Sequence, residues 1–313
     1  MYHKSKGGIV MFNSNETVCF LGDSITTHGH FVKEVFQFLV DNHKEDKVKI
    51  YNCGVPGDAA CRTVERLYED CLILNPTTVV LMLGVNDIER ALYVPNKEIE
   101  NVEEKREYFL ELYRVNMRKI IEDCMEMNAK VILCTPTPID DKKCIAQGCN
   151  IPLGKCIDFL KEIAAEKKLQ FVDYNTVMLN MMDREIFNAD GAHPSEYGHH
   201  VMAQVLLKEL GYIKECDFET MPVYSVKNQE RFNAEQVYRD IKMLEWCSMY
   251  DFNKANPDAS YQEKIELAKQ KRQDALNSNK DWLVNITNNY IKYLHQLPKL
   301  QGDVIKKTIK MYD

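Results

Sequence analysis

No run in this sequence approaches the roughly 18 apolar residues of a membrane-spanning helix. The apolar part of its opening, MYHKSKGGIVMF, is too short for a secretory signal. Positive charge is outnumbered as well, 40 Lys and Arg against 47 Asp and Glu. A net charge of −7 disfavours a nucleic-acid partner, because phosphate contacts need a basic surface. It also disfavours docking on an anionic membrane. Repeats and low-complexity tracts are missing. None of the 11 cysteines stands at CxxC spacing, so no zinc site is expected. Their number is odd and they are scattered, Cys19 and Cys134 in strand-like runs, Cys71 and Cys124 in helix-like ones. That is not a disulfide framework. It predicts reduced, mostly buried thiols and a cytoplasmic location.

What is present is ordinary for a soluble globular protein: 313 residues, 45% hydrophobic and 28% charged. Short β-rich runs fall at Val18–Leu21, Val48–Tyr51, Thr78–Leu83, Val131–Cys134 and Phe171–Val172. Between them, helical spacing covers Phe31–Val40, Arg62–Leu74, Glu98–Met127 and Ile157–Lys167. In the long third stretch, Val102, Phe109, Leu112, Asn116, Ile120, Cys124 and Met127 fall near one face. Alternation of strand and helix, with strands apolar throughout, predicts a parallel sheet covered on both faces: a doubly wound α/β domain. Ligands of such sheets bind beyond the carboxyl ends of the strands.

From about Tyr212 the alternation stops. Val237, Ile241, Leu244 and Ser248 share one helical face; Tyr261, Ile265 and Ala268 suggest a second helix; Trp282, Ile286 and Tyr290 a third; and Val304–Met311 a last one. The expected organisation is an N-terminal segment 1–16, an α/β domain 17–211 and a helical C-terminal extension 212–313 acting as lid, cap or dimer element.

Four segments carry chemistry. The first strand runs into Gly22-Asp23-Ser24-Ile25-Thr26, which places Ser24 at the ligand edge. A serine hydroxyl is a weak nucleophile without a neighbouring base, and a turn in which Ser24 or Thr26 caps a helix is the competing reading. After the second strand, Asn52-Cys53-Gly54-Val55-Pro56-Gly57-Asp58 offers the Gly57 N–H without side-chain obstruction, or is an ordinary tight loop. After the third, Gly84-Val85-Asn86-Asp87 can aim the Asn86 amide at the same place, or is a simple Asn-Asp turn. Far downstream, Asp190 and His193 stand three positions apart, before Pro194 and a capping Ser195. One loop can thus deliver a base and its orienting carboxylate.

These blocks, GDSIT at Ser24, the glycine block at Gly57, GVND at Asn86 and DxxH at Asp190 and His193, resemble the SGNH, or GDSL-like, hydrolase superfamily over about residues 17–210. The resemblance implies a flavodoxin-like, three-layer fold around a five-stranded parallel sheet. It implies that Ser24 attacks an ester carbonyl, His193 takes the serine proton and Asp190 holds the imidazole. The oxyanion would be held by the N–H groups of Ser24 and Gly57 and the Asn86 amide, with no metal or cofactor. His28, His30, His199 and His200 are read as non-catalytic.

The expected substrate is a small-molecule ester with a short acyl group, with a lean toward acetylated carbohydrate. An acyltransferase using the same triad and a non-catalytic binding protein of the same fold are the alternatives. Self-association through the C-terminal helices is the one protein contact anticipated.

Overall fold

The computed structural model describes residues 11–43, 47–230 and 259–278, with single positions at 232, 233, 236, 284 and 291. Five strands, β1 (Thr17–Gly22), β2 (Lys49–Gly54), β3 (Thr78–Met82), β4 (Lys130–Cys134) and β5 (Gln170–Val172), form one parallel sheet in the order β2-β1-β3-β4-β5. All four pairings are parallel. Every residue of β3 is buried, as is β1 from Val18 onward, which explains why these strands read as continuous apolar runs.

The helices bounded within the described residues include α1 (Ser24–His28), α2 (His30–Asn42), α3 (Ala60–Asp70), α4 (Val102–Glu126), α5 (Asn150–Lys167), α6 (Tyr174–Leu179), α7 (Glu196–Glu209) and α8 (Tyr261–Asn277). α2 packs on α7, while α3, α4 and α5 pack in a row; these are the two outer layers. The architecture is the expected α/β fold with a C-terminal helical element.

Two helix starts and one helix face depart from expectation. α4 starts at Val102, four residues after Glu98, because Asn101 adopts a left-handed conformation (φ 52°). Its buried stripe is Leu110, Tyr113, Met117, Ile120, Ile121 and Cys124, so the predicted face, with Phe109, Leu112 and Asn116 only half-buried, was turned by about one residue. α5 starts at Asn150, seven residues before Ile157. Pro152 falls in its first turn, where the missing N–H leaves no hydrogen bond unmade.

Beyond α7 the chain is first a strap, not a helix: residues 212–225 carry no regular structure. Tyr212 packs tilted against Phe12 and edge-on against Phe38 and His43, and Phe232 meets Phe36 edge-on at 5.3 Å. The Gln236 side chain accepts from Asn52 N at 2.8 Å and donates to Ile50 O at 3.0 Å. Its amide thereby covers backbone groups of the edge strand β2, which would otherwise invite pairing with another chain. In α8, begun by a Ser260–Glu263 capping box, Ile265, Ala268 and Ala275 are buried. The helices expected around Val237, Trp282 and Val304 lie outside the described residues. Of the ten described cysteines eight are buried, and all ten are free.

Candidate active site

The chain leaves β1 to one side to form β2 and returns on the other side as β3. This reversal opens a crevice at the carboxyl ends of the strands. The segments carrying Ser24, Gly57 and Asn86 all begin there. Asp23, not Ser24 or Thr26, caps α1: its carboxylate accepts from Ile25 N at 2.9 Å. Ser24 is the first residue of the helix and stays half-buried, its hydroxyl available.

Ser24 Oγ lies 2.8 Å from His193 Nε2, across 169 residues of chain. His193 Nδ1 lies 2.5 Å from Asp190 Oδ2. The other Asp190 oxygen accepts the N–H groups of Ala192 and His193, each at 3.0 Å. Partial burial alone would raise the Asp190 carboxyl. The hydrogen bonds from the His193 backbone and ring and from Ala192 outweigh it and hold the group below the usual carboxylate range.

The loop carrying these residues is braced on both sides. Ser195 caps α7 by accepting from Gly198 N, and Ser195 N donates to Ile186 O while Asn188 N donates to His193 O, both at 2.9 Å. Gly191 (φ 69°) accepts from Asp140 N at 2.8 Å, and a Cβ there would meet Asp140 O and Cys144 N at 2.6 Å. Only glycine fits this docked, left-handed position.

Gly57 (φ 74°) faces open space, with nothing within 4 Å of where a Cβ would stand. Asn86 Nδ2 donates to Asp58 O at 2.9 Å and lies 3.5 Å from Asp23 Oδ2. The amide therefore bridges the serine and glycine segments, with one N–H engaged and the other weakly held. Beneath them, Arg66 ties the edges together. Its guanidinium donates to Asp58 Oδ2 at 2.8 Å, Cys53 O at 3.0 Å and Gly22 O at 3.1 Å, and also pairs with Asp70. Burial, with a contribution from the Asp58 charge, pushes the Asp23 carboxyl up to about 6, against the pull of the Ile25 N–H and of His193.

The remaining histidines divide. His200 is buried in α7, bonded to Glu34 Oε1 and Asp217 O, each at 2.8 Å, and is structural. His199 is buried with Phe31 stacked on it at 5.8 Å, and neither nitrogen has a partner among the described residues. Burial, aided by the neighbouring imidazoles, pushes it down to about 3, so it stays neutral. His28, however, packs at 5.3 Å from the His193 ring. Asp23 and Arg66 are site neighbours that the sequence did not single out, and His28, read there as non-catalytic, is a third neighbour. Only His28 carried a signal, its i+4 spacing from Ser24.

Among the described residues, Cys19, Cys53 and Cys71 have metal-ligand spacing, their sulfur atoms within 4.8 Å of one another. They are buried in the core of β1 and β2, and the Cys53 thiol donates to Asp70 O at 3.5 Å. They belong to the core packing, not to the serine's surroundings.

Fold and site together define an α/β protein with a hydrogen-bonded Ser–His–Asp line at the ligand edge of its sheet. The sequence model of the GDSL-like Lipase/Acylhydrolase family matches residues 20–201, and the chain belongs to that family. An acetylxylan esterase from Geobacillus stearothermophilus is 27% identical over 222 residues, covering 64% of this chain and 95% of that protein. A solved variant of an acetyl-xylooligosaccharide esterase from that bacterium shares the fold with a TM-score of 0.57 at 24% identity, over 66% of this chain and 100% of that one. A gut microbial diltiazem-metabolizing enzyme shares it with a TM-score of 0.58 at 23% identity, over 65% of this chain and 48% of that one. Catalytic mutants of the acetylxylan esterase have been solved with a serine, a histidine and an aspartate replaced by alanine. The chain is an enzyme of the esterase/acylhydrolase type. No described helix is long and apolar enough to cross a membrane.

Proposed function

We propose that this enzyme hydrolyses short-chain carboxylic esters, acetyl groups on carbohydrate foremost, through an acyl-enzyme on Ser24. The observation that carries the proposal is the unbroken line from Ser24 Oγ through His193 to Asp190, 2.8 and 2.5 Å per link. His193 Nε2 accepts the hydroxyl proton as Oγ attacks the carbonyl carbon, and Asp190 stabilises the imidazolium. Charge then develops on the carbonyl oxygen, opposite the Ser24 and Gly57 N–H groups and the weakly held N–H of Asn86. One such donor is worth about 2.7–4 kcal/mol in the transition state. His193 returns the proton to the leaving alcohol, then activates water to release the acid. The preference for acetyl rests on the acetylated substrate named for the relative.

The test is a panel of 4-nitrophenyl acetate, butyrate and decanoate with acetylated xylo-oligosaccharides, run on wild type and Ser24→Ala. Ser24→Ala is expected to lose at least about 10⁴-fold in kcat, and a fluorophosphonate probe to label Ser24 alone. Substantial turnover by the variant refutes the triad. A decanoyl ester cleaved tenfold better than acetyl refutes the acyl preference.

A further inference from the structure

Helix α1 is five residues long, and its first and last residues are Ser24 and His28. Positions four apart lie on one helix face. That face looks at His193: Ser24 Oγ bonds its Nε2, and the His28 ring stands 5.3 Å from the His193 ring, inclined by 53°. His28 is nonetheless exposed, so the ring that borders the catalytic imidazole is open to whatever occupies the crevice.

In acyl transfer the alcohol departs on the side of the general base, because the base returns its proton to the leaving oxygen. That oxygen must come within about 2.6–3.2 Å of His193 Nε2. The carbon skeleton behind it then lies along the border of the His193 ring, where His28 is. We propose that His28 forms a subsite for a hydroxyl on the carbon next to the ester-bearing carbon, selecting esters of vicinal diols, sugars among them, over esters of simple alcohols. This rests on the Ser24–His193 reading above and adds the class of leaving group.

His28 has the right chemistry for the task. Partial burial, then the His193 and His30 imidazoles, hold its pKa below the usual value, against the opposing pull of Asp190. A neutral imidazole offers one donor and one acceptor, which matches a hydroxyl's own needs. An aryl or simple alkyl leaving group presents nothing for it to bind.

A matched pair of substrates isolates the interaction: trans-1,2-cyclohexanediol monoacetate and cyclohexyl acetate, identical except for the neighbouring hydroxyl. The readout is the ratio of their kcat/KM values. In His28→Ala the ratio should fall about fivefold, the worth of one neutral hydrogen bond, and His28→Gln, which can still bond a hydroxyl, should recover it. A ratio within about twofold of wild type in His28→Ala overturns the proposal. That includes the case in which both esters slow together, the behaviour of a residue that merely props His193. Fluorophosphonate labelling of wild-type Ser24 separates the two failures. If Ser24 is labelled and the ratio does not move, the subsite is wrong; if Ser24 is not labelled, the triad reading falls first.

Discussion

Replacing Arg66 by alanine should destabilise the protein by about 3–5 kcal/mol, the usual consequence of removing one member of a buried ion pair. Asp58 is only 3% exposed, and its Oδ2 accepts from both Thr63 and the Arg66 Nε. Without the guanidinium, that carboxylate keeps the Thr63 hydroxyl and the more exposed Arg62, whose Nε stands 3.6 Å from Oδ1, but loses its closer and better buried counter-charge, and Asp70 loses its pairing with Arg66 as well. The carbonyls of Gly22 and Cys53 lose donors in the same step, so the ends of β1 and β2 lose a common tie. Two consequences separate this account from simple loss of packing. First, adding Asp58→Asn to Arg66→Ala should recover part of the lost stability, because one of the two buried carboxylates that Arg66 pairs with is neutralised, whereas Asp58→Asn alone should be destabilising. Second, kcat should fall along with stability, since Asp58 O holds the Asn86 amide. Urea unfolding followed by far-UV circular dichroism gives the four free energies of the cycle. The reasoning fails if Arg66→Ala lies within about 1 kcal/mol of wild type, or if the two substitutions simply add.

Burial, followed by the charges of Asp23 and Asp58, pushes the Asp87 carboxyl up to about 7; Ala60 N bonds one oxygen at 2.6 Å, and the other has no partner among the described residues. Its folded value exceeds its unfolded one, so the folded state binds the extra proton and stability falls as pH rises from about 4 to 7; Asp87→Asn should gain on wild type across that window, by up to about 4 kcal/mol, and a difference that stays flat from pH 4 to 8 would count against the assignment. Gly191→Ala, forced against Asp140 O and Cys144 N at 2.6 Å, should displace the loop holding Asp190 and His193, so turnover should drop more than tenfold; normal kcat would show that the loop adapts. Truncation after Leu210 removes Gln236 from the β2 edge and Phe232 from Phe36. The shortened chain should aggregate or melt at markedly lower temperature, and a soluble, monomeric, fully active product would show that the extension is dispensable.

The sheet was legible in the sequence because parallel strands buried on both faces leave uninterrupted apolar runs, and β1 and β3 are such runs. The candidate residues could be picked out because each block is local: a tight turn carries Gly57, and an acid and base three residues apart need only one loop. Helix faces were harder. In α4 half-buried Phe109 and Leu112 sit beside the buried Leu110 and Tyr113, and apolar spacing alone does not say which row faces the sheet.

What the sequence could not decide is every relation between segments distant in the chain. That Ser24 Oγ meets His193 Nε2, 169 positions along the chain, depends on the segments between them being wound onto both faces of one sheet. Asp58 and Arg66 are eight residues apart, yet the arginine's other partners, Gly22 O and Cys53 O, come from the ends of two neighbouring strands. His28 looked like one more turn residue until the fold brought the His193 ring against it, and Gln236 like one more polar residue until its amide met the backbone of β2. Local sequence encodes conformational preference and residue chemistry. Hydrogen bonds and ring contacts across long loops exist only once burial of the shared core has offset the entropy of closing those loops.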